Sequence, residues 1–189
     1  VLAVDLGKSQ VASSYLLPSA AFDLALSEDG TRLFVGLEGK IQSFTTAPLT
    51  ASWFYLSPGR NLRLKVRPRQ GEVYTLRDAR IAIFPREPRQ AAGGESREDD
   101  ALAVLDSPAH ADRFGFSRDG RIAVAAGRGM DVLVIIDATH AKIAGTWPED
   151  ASAVRTLLAE ADAAEKPKGP RGKLVAQEGS YAPPLGGVA

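Results

Sequence analysis

The sequence predicts an all-β protein of repeated sheets, each of four antiparallel strands, followed by a short helix and an extended tail. Three observations predict it. Pro18, Pro58, Pro108 and Pro148 recur at spacings of 40, 50 and 40 residues, and Gly30, Gly71 and Gly120 at 41 and 49, so both series advance 90 over two units. The segments around them match in kind: Ala21-Phe22-Asp23-Leu24-Ala25-Leu26-Ser27-Glu28-Asp29-Gly30 corresponds to Ala111-Asp112-Arg113-Phe114-Gly115-Phe116-Ser117-Arg118-Asp119-Gly120. Apolar residues come in short stretches, of which Val132 to Ile136 is among the longest. Self-similarity at this period marks a stacked-repeat architecture.

The elements follow in order. Val1 to Leu6 and Val11 to Leu17 match Val132 to Asp137 and the stretch up to Pro148, so residues 1–18 read as the second half of a unit. Full units are expected at 19–58, 59–108 and 109–148. In each, the first strand alternates and ends at a turn such as Asp29-Gly30 or Asp119-Gly120, where Asp and Gly accept the positive φ of a tight hairpin. The middle copy, Asn61 to Gly71, is one residue longer at its turn. Second strands are expected at Leu33 to Val35, Val73 to Leu76 and Ile122 to Val124. Third strands fall at Lys40 to Phe44, Ala79 to Phe84 and Asp131 to Ile136, and fourth strands at Ser52 to Leu56, Ala101 to Leu105 and Lys142 to Trp147. Four strands in about 40 residues is the size of one blade of a β-propeller, so residues 1–148 form a propeller segment of about three and a half blades. Residues 85–100, rich in Pro, Gly, Gln and charge, form a surface loop. After Pro148, Asp150 caps a helix over 149–166, with Val154, Leu157, Leu158 and Ala161 on one face, to dock on the propeller or on a partner. Residues 167–189 are a flexible tail.

Phe114-Gly115-Phe116-Ser117-Arg118-Asp119-Gly120-Arg121, a short strand, then Val132 to Asp137 and Lys142-Ile143-Ala144 resemble a bacterial YVTN-type β-propeller repeat and, more loosely, the WD-repeat class. The resemblance covers residues 1–148, with Val35-Gly36-Leu37-Glu38 and Ala125-Ala126-Gly127-Arg128 where the Tyr-Val-Thr-Asn signature would stand. It implies a scaffold whose members bind proteins, ligands or redox cofactors, and a periplasmic or cell-surface setting. Propellers close with about 4–8 blades, so an arc of this length needs more strands. They would come from a longer parent or from a second chain; a tail strand at Lys173 to Gln177 supplies only one. The chain opens on Val1 with no basic-then-apolar leader, and its half-unit start favours a piece of something longer over a processed end.

Composition narrows the chemistry. Lys and Arg number 23, as do Asp and Glu, and this zero net charge argues against a nucleic-acid binder. There is no Cys, which excludes disulfides, thiol catalysis and Cys-ligated metals, and two His cannot build a multi-His site. No stretch approaches the roughly 20 apolar residues of a membrane helix. His110, just before an innermost strand, sits where some redox propellers carry a haem ligand, but it has no second ligand; His140 reads as a turn residue. The repeated Asp-Gly pairs read as turn chemistry, and Gly127-Arg128-Gly129 lacks the helix that a phosphate loop opens. No cofactor or metal is assigned.

The sharpest feature is electrostatic. Residues 60–89 hold nine Arg or Lys against Glu72, Asp78 and Glu87, and Arg63, Lys65 and Arg67 alternate with Leu62, Leu64 and Val66. On a strand this puts three cations on one face. A sandwiched face carrying them must be wet, paired, or bound to something acidic. Glu95, Glu98, Asp99 and Asp100 are the candidate pairing partners. The reading is a non-catalytic interaction module within a larger assembly, with Arg63, Lys65, Arg67 and His110 as candidate partner- or anion-binding residues. The alternative is the propeller part of an extracytoplasmic redox enzyme or lactonase-like hydrolase.

Overall fold

The computed structural model describes residues 1–60, 63–77, 80–88, 101–107, 111–127 and 131–165, the last five without their side chains. Strands β1 (Leu2–Asp5) and β2 (Gln10–Ser14) form an opening antiparallel pair. Strands β3 (Asp23–Leu26), β4 (Arg32–Thr46) and β5 (Leu49–Arg60) form a first sheet. The second is β6 (Arg63–Val66), β7 (Val73–Arg77), β8 (Arg80–Phe84) and β9 (Ala103–Asp106). The third is β10 (Arg113–Phe116), β11 (Ile122–Ala126), β12 (Leu133–Asp137) and β13 (Lys142–Trp147). Each is antiparallel, with neighbours in chain order.

The first sheet hides its fourth strand. β4 runs as one element across the two strands expected at 33–35 and 40–44, yet Thr46 N donates to Thr31 O at 3.2 Å and Thr46 Oγ1 to Gly30 O at 2.7 Å. An extended strand of that length would hold its ends roughly 50 Å apart. β4 therefore folds back on itself, and Gly39, with φ 74°, supplies the left-handed residue at the bend.

The turns that close the first strands are longer than a two-residue hairpin. Ser27 N donates to Arg32 O, Arg67 N to Glu72 O and Ser117 N to Ile122 O, each at 2.8 Å, so all three loops have equal length. The expected extra residue in the middle copy is absent; its glycine simply sits one place later. Gly30 and Gly120 take positive φ, 69° and 74°, but Asp29 and Asp119 do not. Each aspartate instead accepts hydrogen bonds. Ser27 Oγ donates to Asp29 Oδ1 and Ser117 Oγ to Asp119 Oδ1, both at 2.6 Å, while Thr31 N and Arg121 N donate to the same oxygens at 3.0 and 3.1 Å. This local side-chain-to-backbone bonding is why Ser-x-Asp-Gly recurs.

Apolar faces of successive sheets stack. Phe34, Ile41 and Tyr55 of the first sheet pack on Leu64, Val73 and Phe84 of the second. Tyr74, Leu76, Ile81 and Ile83 pack from the second onto Ala123, Val134 and Ile136 of the third. The opening pair sends Val1 and Ala3 onto Val35, Leu37 and Phe44 of the first sheet. Helix α1 (Ala151–Glu165) lays Val154 and Leu157 on Ile122, Ile135 and Trp147 of the third sheet, and its expected stop before Pro167 lies outside the described residues. Leu158, expected on that buried face, is 45% exposed. Asp150 precedes the helix, and its carboxylate turns back to accept from Thr146 N at 2.8 Å.

Candidate binding surface on the innermost strands

The first strands of consecutive sheets pack together, β3 on β6 and β6 on β10, so they share the inner side of the arc. Register makes their positions equivalent: Leu24 pairs with Val35, Leu64 with Thr75 and Phe114 with Ala125. Leu64 and Val66 pack toward the first sheet, which sends Arg63, Lys65 and Arg67 toward the third.

That face is paired, and mainly by backbone. Arg63 Nε donates to Asp112 O at 2.9 Å and Arg67 Nε to Gly120 O at 2.7 Å, two carbonyls flanking β10. Arg67 is buried, and its Nη1 lies 2.8 Å from Glu72 Oε2. The counter-charge for Arg67 thus comes from its own turn, while Glu95, Glu98, Asp99 and Asp100 lie outside the described residues. Lys65, between the two arginines, is exposed. Its equivalents are Ala25 and Gly115, and a Cβ on Gly115 would meet nothing within 4 Å. The three cations do share a face, but the outer two are pins between sheets. His110 lies outside the described residues. His140 sits in the β12–β13 turn, with Nδ1 2.6 Å from Asp137 Oδ2.

Several pins carried no sequence signal. Asp23 Oδ2 accepts from Leu64 N at 2.9 Å and Glu28 Oε2 from Arg69 N at 2.7 Å. Arg86 Nη2 reaches Asp29 Oδ2 at 2.7 Å, and buried Arg77 donates through Nη1 to Pro58 O at 3.0 Å. Around them, between the first two turns, lies an open cleft of about 230 Å³, lined by Ser27, Glu28, Asp29, Arg67, Arg69 and Arg86 among others. Each residue acts on a neighbouring sheet, so only the three-dimensional stacking reveals it.

The carboxylates here are held ionised. Bonds from Ser27 Oγ, then from Thr31 N and Oγ1, with Arg86 beside them, keep the Asp29 carboxyl well below the usual range. Burial pushes Asp119 up, but the bonds from Ser117 and Arg121 outweigh it and its carboxyl is lowered too. Groups so held serve as fixed acceptors rather than proton donors. No cluster among the described residues groups three or more His, Cys, Asp or Glu for a metal, and no helix there is long and apolar enough to cross a membrane.

The stacked four-stranded sheets about a common inner edge define this chain as part of a β-propeller, and solved structures agree. It is similar to Kuenenia stuttgartiensis hydrazine synthase (TM-score 0.62, 14% identity, 76% of this chain and 41% of that one) and to the β-propeller domain of Myceliophteria thermophila Cps50 (Swd1) (TM-score 0.63, 14% identity, 77% and 47%). It is also similar to the dihydro-heme d1 dehydrogenase NirN (TM-score 0.50, 19% identity, 66% and 27%). The chain spans less than half the length of each. No protein-family model and no curated protein sequence matches it. What is shared is the fold, and propellers of enzymes and of other proteins share it alike.

Proposed function

We propose that this chain is a non-catalytic interaction module, an arc of propeller blades that presents the inner strand β6 to an acidic partner or anionic ligand within a larger assembly. One observation carries the reading: Lys65 stands exposed between Arg63 and Arg67, two cations anchored to the next blade through Asp112 O and Gly120 O. Anchoring fixes the cationic strip before a partner arrives, which reduces the ordering cost of binding. Arg67 acts from behind, as the buried anchor, and Arg63 and Lys65 meet the partner. The proposal includes the periplasmic or cell-surface setting that the repeat resemblance implies.

A fluorescein-labelled oligoglutamate peptide tests it. Affinity for the parent chain should fall as salt rises, since exposed charges are screened over about 8–10 Å. The double variant Arg63→Gln, Lys65→Gln should bind about tenfold more weakly, a loss of about 1.4 kcal/mol, with melting within a few degrees of the parent. Equal affinity in parent and variant would sink the proposal.

A further inference from the structure

The three turns that close the inner strands are equal in length, and the middle one breaks their pattern. Arg69 stands where the other two carry Asp29 and Asp119, the aspartates that bond their own turn's backbone. Arg69 takes φ 67°, a conformation that residues other than glycine rarely hold. Gln70 N donates to Pro68 O at 2.8 Å across it, the bond of a strained γ-turn. The preceding blade holds this conformation in place, since Glu28 Oε2 accepts from Arg69 N at 2.7 Å. A strained residue that its surroundings keep strained points to a use.

The Arg69 side chain lines the cleft of about 230 Å³ between the first two turns. Among the described residues its guanidinium meets no acceptor, whereas Arg67 beside it is paired with Glu72 at 2.8 Å. Arg86 crosses over Gly71, where a Cβ would come within 2.9 Å of its Cδ, and commits only Nη2 to Asp29. Its Nε and Nη1 bond nothing among the described residues. On the acidic side, both Asp29 oxygens are taken, by the turn and by Arg86, while Glu28 keeps Oε1 without a partner among the described residues. Arg67, Arg69 and Arg86 thus face Glu28 and Asp29 across the cleft, and Glu72 behind Arg67 brings the balance to zero. A simple anion would be drawn by the guanidinium groups and repelled by Glu28. A ligand that carries both charges satisfies both walls.

We infer that this cleft is a binding site for a small zwitterion of the α-amino-acid class. The ligand's carboxylate takes the guanidinium of Arg69 and the spare nitrogens of Arg86, whose planar forks match a carboxylate. Its ammonium takes Glu28 Oε1. The cleft is smaller than the roughly 300–1,000 Å³ of sites for drug-sized molecules, which suits a single amino acid. The inference stands on Arg69, Arg86 and Glu28 and does not rest on the cationic strip of β6.

An equimolar mixture of the twenty protein amino acids is the probe, read on the full chain by saturation-transfer NMR, and the strongest binder is then titrated alone. Saturable binding at about 1 mM or tighter is expected, and Arg69→Gln should weaken it about tenfold while the melting temperature holds. The binder's analogue without the ammonium should also bind about tenfold more weakly. Arg69→Gly relieves the left-handed conformation, so it should raise the melting temperature while weakening binding as much as Arg69→Gln does. Absence of saturable binding to the parent would overturn the site, as would equal binding by the two Arg69 variants and the parent. An analogue without the ammonium that binds as tightly would overturn the zwitterion. Binding that arises only after residues 91–100 are deleted would make the chain its own occupant and overturn the ligand.

Discussion

Gly30 and Gly120 hold the same turn position at nearly the same φ, yet the fold uses them differently. A Cβ on Gly30 would meet nothing within 4 Å, whereas one on Gly120 would lie 2.7 Å from Pro68 O in the adjacent blade. Gly30→Ala should therefore cost only the left-handed strain, about 1 kcal/mol, and Gly120→Ala about 3 kcal/mol, because it also pushes on the Arg67–Gly120 bond. Urea unfolding of the two variants measures the difference, and equal losses would contradict the close approach. The turn aspartates set a pH dependence. Both have folded values below the unfolded one near about 4. Their stabilisation is complete above that value and is lost as pH falls through it toward the folded values. The melting temperature should stay level from pH 7 to about 5 and drop below about 4, and Asp119→Asn should make the drop shallower. A profile unchanged by that substitution would remove the turn from the account of acid lability.

At the scale of elements, the repeat was legible because its markers are local. Pro spacing, Ser-x-Asp-Gly turns and alternation placed the blades, and the equal turn closures at 27–32, 67–72 and 117–122 reproduce the 40- and 50-residue spacings. Strand ends moved by up to four residues, since pairing and not composition ends a strand; the expected fourth strand at Ala101 to Leu105 is Ala103–Asp106, and that at Ser52 to Leu56 is Leu49–Arg60. Arg67 stood out in the sequence, but its partner Gly120 O did not, nor did those of Arg77 and Arg86, because all three reach across blades at separations that no local pattern encodes. The helix was legible as a helix, but not where it docks. Its docking is tested by Val154→Ala, which removes a 2%-exposed side chain and should cost about 1.5 kcal/mol. Trp147, packed in the same cluster with Arg155 5.8 Å over its ring, reports the change. In a Trp53→Phe background its emission should shift to the red with Val154→Asp, and an unshifted spectrum would mean that α1 does not rest there.

Among the described residues the buried clusters join each sheet to the next in the chain, so stability is distributed along one dimension. The second sheet is covered on both sides: every residue of β7 is buried, and β8 is buried from Ile81 on. The opening pair is its opposite, with mostly exposed residues in β1 and β2. Opening free energy should follow that gradient, so amides of β7 and β8 exchange slowest and those of β1 and β2 fastest. Leu64→Ala makes the test sharper. Leu64 is fully buried at the junction of the first and second sheets, and its truncation should cost about 2–5 kcal/mol. In a nearest-neighbour stack that cost falls on one junction. Exchange should accelerate in β1 to β5, which then detach as a unit, while β10 to β13, held by Tyr74 and the Arg67–Gly120 bond, keep the parent's rates. Uniform acceleration across all sheets would show that the arc unfolds as one cooperative body and that the junctions are not separable.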